Sequence, residues 1–587
     1  MKVLLVAINA KYIHTNIAVR YLLQTGRKAV DEIDMREFTI NHSVEYILSE
    51  IYKTQPEVIC FSCYIWNMEM IEQLSQLLKK IMPQVTIILG GPEVSFESKN
   101  LMEQNDAIDI TVMGEGEETF TNLLVLLNEY GDYSQLSGIA YRVKGQILVN
   151  ELGCEAYDMK DIPFPYEGEV LDENKIVYYE ASRGCPFNCQ YCLSSSFQGV
   201  RFLPIERVKK ELKYFIDQEV KQVKFVDRTF NANIEYALEI MKFLKEYHTG
   251  KTNFHFEVTA DLISDEILDF LETVPVGLFQ FEIGVQSTNE ETLQAIQRKM
   301  DFQKLSYVVK RIARYRNIHQ HLDLIAGLPK ENYFTFRKSF NDVFALKPEK
   351  LQLGFLKLLK GSGLAHDAHK YGYIYTDYPP YEVLENDSLS YGEMNRLKGV
   401  EEMVEIYWNS GIFRTSVQVV IDNFYSSAFQ LFEDLWKYWE GQGYHHNAQG
   451  KNQLYETLMG FYEFKGFEYE EKMLEVLKFD YLRNTKTSSL PKLFYRELPS
   501  GFKNQSHTFL QSIENLEKFL PRYINIPAKQ IIKKVHFEQF SYNVVQLEGN
   551  PKALRELEVE KTTVLFDYDL ENKALDDSKV FIVNIEA

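Results

Sequence analysis

Apolar runs alternate with amphipathic stretches along residues 1–145. Four short runs predict buried strands: Val3–Ile8, Val58–Tyr64, Thr86–Leu89 and Ile110–Met113. Apolar residues at helical spacing predict the helices between them: Ile17–Leu23, Met68–Ile81 and Thr119–Leu127. This alternation is typical of a doubly wound parallel sheet, in which ligands bind beyond the carboxyl ends of the strands. The loops at those ends are Asn9–Asn16, Ser62–Asn67, Gly90–Ser95 and Gly114–Thr119.

A second alternating series fills residues 175–365. Before it, residues 146–174 are mostly polar and contain Pro163 and Pro165, which predicts a linker. The predicted strands of the second series are Ile176–Glu180, Gln222–Val226, Asn253–Val258, Leu278–Val285, His321–Ile325 and Lys350–Leu356. Six strands separated by helices predict a partial (β/α)6 barrel, smaller than the closed eightfold barrel.

Residues 366–587 form a mostly helical extension with a small mixed α+β end. Leu397, Val400, Val404 and Tyr407 make a helical stripe that stops at Gly411, the expected C-terminal cap. Strand patterns return near the end of the chain, at Val535–Phe540, Thr563–Phe566 and Val580–Ile585. The fold class predicted for the whole chain is therefore α/β with a helical extension.

Composition and charge indicate where the protein is expected to be located and which partners are not expected. No run of about 18 apolar residues occurs, so no transmembrane helix is expected, and the apolar start Val3–Ile8 is too short for a signal peptide. Six cysteines in 587 residues do not suggest a disulfide framework, which favours a cytoplasmic protein. The net charge of −20 opposes phosphate backbones, so nucleic acid is not an expected partner.

Three cysteines lie close together at the start of the second series. Cys185, Cys189 and Cys192 have the spacing C-x3-C-x2-C. Three thiolates on one loop suit a 4Fe-4S cluster with one iron left open. A structural zinc site prefers four closed ligands, and no second pair follows. Incidental buried thiols are the remaining reading, but free cysteines rarely cluster in this way.

This spacing, with Tyr191 just before the last cysteine, resembles the signature of radical S-adenosylmethionine (SAM) enzymes. The resemblance implies that Cys185, Cys189 and Cys192 bind a 4Fe-4S cluster whose fourth iron is chelated by SAM, with Tyr191 beside the adenine. It also implies reductive cleavage of SAM to a 5′-deoxyadenosyl radical, and an electron donor such as flavodoxin or ferredoxin.

Polar residues end the predicted barrel strands, where barrel enzymes place their chemistry. The resemblance implies that five of them surround SAM: Asp227, Glu257, Glu282, Gly284 and Gln286. Strand alternation puts Glu282, Gly284 and Gln286 on one face. Carboxylates and amides can hold ribose hydroxyls or an ammonium group, and a glycine lets adenine approach the backbone. The alternative is that these residues have only a structural role at the strand ends. Arg228 and Asp323 also have these two possible roles, contact with SAM or a structural role.

The first series of elements, placed ahead of this motif, resembles the cobalamin-binding domain of cobalamin-dependent radical SAM enzymes. The resemblance covers residues 1–145 and, with the barrel, about the first 365 residues. The cobalamin contacts that it implies are His14, Ser62, Gly90, Gly91, Gly114, Glu115 and Gly116. The chain lacks the D-x-H-x-x-G pattern, so no histidine is marked as the lower cobalt ligand. His14 could equally be a packing residue of the loop.

The remaining cysteines do not suggest a second cluster. Cys60 and Cys63 lie in a strand pattern with an odd offset, which predicts side chains on opposite faces. Cys154 lies in the linker and is expected to be incidental. Methylthiotransferases, a related radical SAM family, bind a second cluster through three cysteines of the N-terminal domain, where this chain has only two.

The predicted function is that of a cobalamin-dependent radical SAM enzyme transferring a methyl group to an unactivated carbon. Cyclisation, rearrangement or methylthiolation without cobalamin is an alternative reaction type. A non-catalytic cluster or cobalamin sensor is the alternative from a different class. The extension after residue 366 is expected to close the mouth of the barrel and exclude water.

Overall fold

The computed structural model describes residues 1–152, 157–196, 199–495, 497–570 and 578–585. Cys154 lies outside these ranges. In the first domain the strands are β1 (Lys2–Asn9), β2 (Glu32–Thr39), β3 (Val58–Ser62), β4 (Thr86–Gly90), β5 (Ile110–Val112), β6 (Ile139–Val143) and β7 (Gln146–Val149). The helices are α1 (Ile17–Gly26), α2 (Val44–Thr54), α3 (Met68–Ile81), α4 (Pro92–Ser95), α5 (Ser98–Gln104) and α6 (Gly116–Asn128).

The predicted doubly wound sheet is confirmed. The order is β2-β1-β3-β4-β5 in parallel, and β6 and β7 extend the sheet as an antiparallel edge. Residues 3–9 of β1 are fully buried because helices cover both faces of the sheet. The sequence did not predict β2, since its charged residues alternate along an edge strand.

The first sheet continues past residue 145, where the first domain was predicted to end. β7 pairs with β6, so the first domain continues through Val149. The predicted linker also packs more closely than its polar sequence suggests. Tyr166 is fully buried, and its hydroxyl donates to the backbone carbonyl of Tyr178 at 2.7 Å.

The second domain is an open barrel. Its strands are β8 (Ile176–Tyr179), β9 (Ser182–Cys185), β10 (Gly199–Phe202), β11 (Gln222–Phe225), β12 (Asn253–Glu257), β13 (Phe279–Gln286), β14 (His319–Ala326) and β15 (Lys350–Phe355). Its helices are α7 (Ile205–Asp217), α8 (Ile234–Tyr247), α9 (Asp265–Glu272), α10 (Glu290–Ala295), α11 (Phe302–Tyr315), α12 (Tyr333–Phe344) and α13 (Gly363–His366).

Six of these strands, within the described residues, form an all-parallel sheet in the order β8-β11-β12-β13-β14-β15, which confirms the predicted partial (β/α)6 barrel. Along β13 and β14 every second residue is buried under the outer helices. The residues between them face the lumen and are largely polar. β9 and β10 form a separate antiparallel hairpin that carries the cysteine loop.

Segments outside the barrel pair with one residue of each edge strand of this sheet. At β8, the backbone of Ile13 accepts from Ile176 N at 2.6 Å, so a loop of the first domain covers that edge. At β15, the side chain of Asn409 accepts from Leu351 N and donates to Leu351 O, each at 2.9 Å. Asn409 ends a π-helical turn, Glu405–Asn409. The extension therefore contributes to the barrel by satisfying its last strand.

The extension contains α14 (Tyr391–Val404), α15 (Arg414–Phe424), α16 (Ala428–Gln442), α17 (Lys451–Phe464), α18 (Glu470–Asn484), α19 (Phe502–Phe509), α20 (Ile513–Phe519) and α21 (Ala528–Ile531). Its strands are β16 (Ile374–Tyr375), β17 (Val383–Glu385), β18 (Val535–Tyr542), β19 (Val559–Asp567) and β20 (Lys579–Val583). The predicted stripe on α14 is buried, and Gly411 has the positive φ of a C-terminal cap. Asp480 of α18 accepts from the backbone N–H of Thr415 and Ser416, which caps α15.

Candidate functional site

The three clustered cysteines open onto one cavity at the carboxyl end of the barrel. Cys185 ends β9, and Cys189 and Cys192 follow on the loop, where Cys192 N donates to Cys189 O at 3.1 Å. Gly184 has φ +103°, and a Cβ there would lie 2.1 Å from Gly199 O of β10. Only glycine therefore fits where the hairpin starts the loop. Three thiols facing one cavity fit the donor set of a 4Fe-4S cluster.

Arg298, which the sequence analysis did not identify, supports this loop from the segment between α10 and α11. Its Nη1 lies 3.8 Å from Cys189 Sγ and donates to the Tyr191 hydroxyl at 3.1 Å. Its Nη2 donates to Gly284 O. Burial raises the pKa of the Cys189 thiol, and the guanidinium acts in the opposite direction. No spacing signal links Arg298 to the cysteines, because the contact forms across 109 residues of chain.

Other predicted SAM residues line the same cavity. Glu257, Gly284 and Gln286 face it together with Asp323. In the described part of the chain, Gln286 Oε1 and Asp323 Oδ1 are buried without a hydrogen-bond partner. Burial raises the pKa of Glu257 and holds that of Asp323 well above its usual range. Such orphaned polar atoms fit a ligand rich in donors and acceptors, as SAM is.

Asp227 does not face this cavity. Its carboxylate accepts from Ala181 N at 3.0 Å and from Ser182 Oγ at 2.5 Å. Burial raises its pKa to about 7, against the lowering effect of these hydrogen bonds. Asp227 therefore fixes the start of the cysteine hairpin and makes no contact with the cavity.

Glu282 lines the cavity from a deeper position in the lumen and already has protein partners. Its Oε2 lies 2.9 Å from Lys224 Nζ and 3.1 Å from His255 Nε2. Burial opposes its ionisation, but the adjacent His255 imidazole and the charge of Lys224 outweigh that effect and hold its pKa at about 2. Burial also lowers the pKa of His255, and that of His321 to about 3, so both imidazoles are neutral near pH 7.

The predicted cobalamin residues lie along the carboxyl edge of the first sheet, several of them in contact with other parts of the protein. Gly91 has φ +114°, and a Cβ there would lie 2.6 Å from Cys63 O, so the neighbouring loop itself requires a glycine. A Cβ on Gly90 would have only Val112 O within 4 Å, at 3.8 Å. Ser62 is buried and accepts from Asn16 Nδ2 at 3.2 Å.

The acidic loop of the first domain is paired with the cysteine hairpin. Glu115 follows Gly114, which has φ +72°, and binds Arg201 and Arg183. Glu117, just after Gly116 at the start of α6, binds Arg183 at 2.8 Å. The loop is therefore an interdomain contact that joins the first sheet to the hairpin carrying the cysteines.

His14 also lies at the junction of the two domains. Its Nδ1 is 2.8 Å from the Tyr178 hydroxyl, and its backbone forms a bridge with Ile176 of β8. Nearby at the sheet edge, Tyr64 and Trp66 stack with ring centroids 4.4 Å apart, and Trp66 is 43% exposed. These rings give the edge a flat aromatic surface.

Cys60 and Cys63 lie in the two different cores on opposite faces of the first sheet, as the odd offset predicts. Burial raises the pKa of both thiols well above the usual range. The two thiols therefore lie apart in separate cores and do not face a common site. Within the described residues, no helix is long and apolar enough to cross a membrane.

Comparison with known proteins identifies three regions. Residues 3–124 match the family model for the B12 binding domain, and residues 179–343 match the radical SAM superfamily. Residues 369–566 match a family described as protein of unknown function (DUF4080).

A curated relative is similar to about half of the chain. The chain is 29% identical over 305 residues to the cobalamin-dependent radical SAM methyltransferase TokK of Streptomyces tokunonensis, which covers 48% of this chain and 44% of TokK. The chain thus spans less than half the length of this relative.

Two solved structures share the fold. The radical SAM methyltransferase TsrM of Kitasatospora setae has a TM-score of 0.54 at 15% identity, covering 65% of this chain and 79% of TsrM. The cobalamin-dependent radical enzyme OxsB has a TM-score of 0.56 at 16% identity, covering 82% and 79%. This chain therefore combines a region that matches the B12 binding domain, a region that matches the radical SAM superfamily and a C-terminal region that matches DUF4080.

Proposed function

We propose that this protein is a cobalamin-dependent radical SAM enzyme that transfers a methyl group to an unactivated carbon. The observation that carries the proposal is the convergence of three cysteines and the orphaned polar groups of Gln286 and Asp323 on one cavity. The B12-binding domain is held against the same hairpin by Arg183. The relatives named as methyltransferases support methyl transfer as the reaction type.

The cofactors would supply the difficult chemistry: a carbon-centred radical from SAM at the cluster, and a methyl carrier in cobalamin. Cys185, Cys189 and Cys192 would hold the cluster. The exposed edge at Gly90 and Trp66 would face the corrin, while Glu115 holds the two domains together.

The remaining residues would bind SAM and hold the groups beside the cysteines in position. Gln286 and Asp323 would bind the polar groups of SAM, which satisfies atoms of theirs that are otherwise unpaired, and Glu257 would contact SAM from the same cavity. Arg298 holds Tyr191 and the Gly284 carbonyl in fixed positions beside the cysteines. An electron donor such as flavodoxin or ferredoxin would reduce the cluster.

The segment that follows β15, including α13 and the start of the extension, would exclude water from the cavity. Leu364 N donates to Gln190 O of the cysteine loop at 2.8 Å. Tyr373 and Asn386 donate to the carbonyl of Gly327, just after β14. Tyr381 donates to Glu93 of the first domain at 2.7 Å. The segment thus crosses the carboxyl end of the barrel and reaches the first domain, where it would shield a radical from solvent.

Replacing one cluster cysteine tests this proposal. Cys189→Ala should abolish both the reconstituted 4Fe-4S cluster and the formation of 5′-deoxyadenosine from SAM, because two thiolates do not hold the cubane. Iron content and 5′-deoxyadenosine are measured after anaerobic reconstitution. Cys60→Ala removes a buried thiol of the first domain and should retain both signals. Full iron content in Cys189→Ala would contradict the assignment.

A further inference from the structure

The barrel lumen contains three ionisable side chains that each lie two residues earlier on their own strand than a residue assigned to SAM. His255, Glu282 and His321 lie on the neighbouring strands β12, β13 and β14. Glu282 precedes Gly284 by two residues on the same face of β13, which places it about 7 Å further from the carboxyl end. The mechanism proposed above uses neither histidine.

The three side chains converge on one point. One ligand atom from each of them lies within 4.8 Å of the others, and His255 Nε2 is 3.1 Å from Glu282 Oε2. The His255 side chain is only 7% exposed, yet in the described residues its Nε2 has no hydrogen-bond partner of acceptable geometry. A buried imidazole nitrogen without a partner costs free energy unless a ligand occupies the space in front of it.

We propose that His255, Glu282 and His321 bind one divalent transition-metal ion in the barrel lumen. Two imidazoles and one carboxylate are a donor set that suits zinc or ferrous iron. The 3.1 Å separation of the two ligand atoms matches two ligands bound to one metal at about 2.0–2.2 Å. Glu282 then binds this metal and not SAM, and SAM is held by the residues nearer the carboxyl ends of the strands.

The surroundings provide partners for the ligands. Lys224 Nζ donates to Glu282 Oε2 at 2.9 Å, and the second lone pair of that carboxylate oxygen stays available for a metal. The Gln280 amide lies 3.2 Å from His321 Nε2 and can orient that ring. An ion pair with Lys224 would by itself account for a buried carboxylate at Glu282. It does not account for the two imidazoles, His255 and His321, that lie beside this carboxylate.

Three protein ligands leave a coordination position open, as in catalytic metal sites. Because Glu282 also lines the cavity shared with the cysteines, that position would face the space beneath SAM. The class of substrate can also be inferred. This inference rests on the proposed function, whereas metal binding itself does not. The open position would take an oxygen or nitrogen donor of the substrate, so the substrate is a molecule with such a polar group near its reacting carbon.

Zinc binding to the full-length, cluster-replete protein tests the proposal. The cluster must be present because zinc also binds free thiolates. We expect one equivalent of zinc per chain by elemental analysis after dialysis. His255→Gln and His321→Gln each remove a ligand at similar volume. Each should weaken zinc binding by ~10–100-fold or more, because loss of a residue that only supports a metal ligand already has an effect of this size. The matched control is His445→Gln, which alters a His–Glu pair with Glu402 outside the barrel and should retain the zinc.

Absence of zinc from the wild-type protein, or the same zinc content in both His→Gln variants, would overturn the proposal. Lys224→Met removes the competing cation and should bind zinc as tightly as wild type or more tightly; loss of zinc there would also contradict the site. 5′-Deoxyadenosine is assayed on the same samples. Failure of zinc binding with SAM cleavage intact would refute the metal site alone, whereas zinc without SAM cleavage would refute only the proposed function.

Discussion

Single residues carry the geometry of the cysteine site, and Arg298 is the clearest case. Its guanidinium contacts Cys189, Tyr191 and the Gly284 carbonyl, so one side chain sets the distance between the loop and β13. It is also a buried positive charge beside a thiolate ligand. Arg298 should therefore both position the loop and ease reduction of the cluster.

Replacing Arg298 by Met should lower the reduction potential of the cluster, since reduction adds negative charge where the cation has been removed. A unit charge about 5 Å away at an effective dielectric of ~20 corresponds to a shift on the order of 100 mV. Redox titration followed by EPR measures the shift. Lys299→Met, at the exposed next position, is the matched control. An unchanged potential in Arg298→Met, with the cluster present, would contradict this role.

The three cysteines could be predicted as one site because all of them lie within eight residues of sequence. Glu257, Gly284 and Gln286 could be placed at the cavity because strand alternation and strand ends determine which residues face the lumen. The orientation of Asp227 toward Ala181 and the contact of Arg298 could not be predicted. Both depend on how segments distant in sequence pack together.

At the scale of secondary-structure elements, the open barrel depends on segments outside itself to complete its edges. Asn409 mimics a neighbouring strand by pairing with both backbone groups of Leu351, and its amide also donates to Glu405 at 2.7 Å. An unpaired edge strand is a site for aggregation, so this contact stabilises the sheet and protects it.

Asn409→Leu should destabilise the protein by ~1–3 kcal/mol, because the buried N–H and C=O of Leu351 lose their partners. The midpoint of urea denaturation measures the change. The neighbouring Ser410→Ala removes an exposed hydroxyl and should change stability by less than about 0.5 kcal/mol. Equal stability of the Asn409 and Ser410 variants would show that the amide does not satisfy the edge.

Predicted strands and helices were most accurate where burial is complete. β3, β4 and α3 were located within about two residues, because fully buried strands read as continuous apolar runs and α3 carries a clear helical stripe. β2 was missed because charged side chains alternate along this edge strand, and the short β6–β7 hairpin was also missed.

At the scale of the whole molecule, the contacts between regions surround the cavity. Arg183 joins the first domain to the cysteine hairpin, His14 joins it to β8, and Tyr381 joins it to the extension. Sequence patterns identified the separate regions but gave no information about these contacts. The central claim, that one chain binds cluster, SAM and cobalamin together, depends on this arrangement.

The most direct test of that claim is one assay of the intact chain. The protein is reconstituted anaerobically with iron, sulfide and hydroxocobalamin, freed of unbound corrin, reduced, and given SAM with a deuterated methyl group. The account predicts that bound corrin is retained as deuterated methylcobalamin and that 5′-deoxyadenosine forms in the same sample. A folded, cluster-replete protein that retains no corrin and forms no 5′-deoxyadenosine would contradict it.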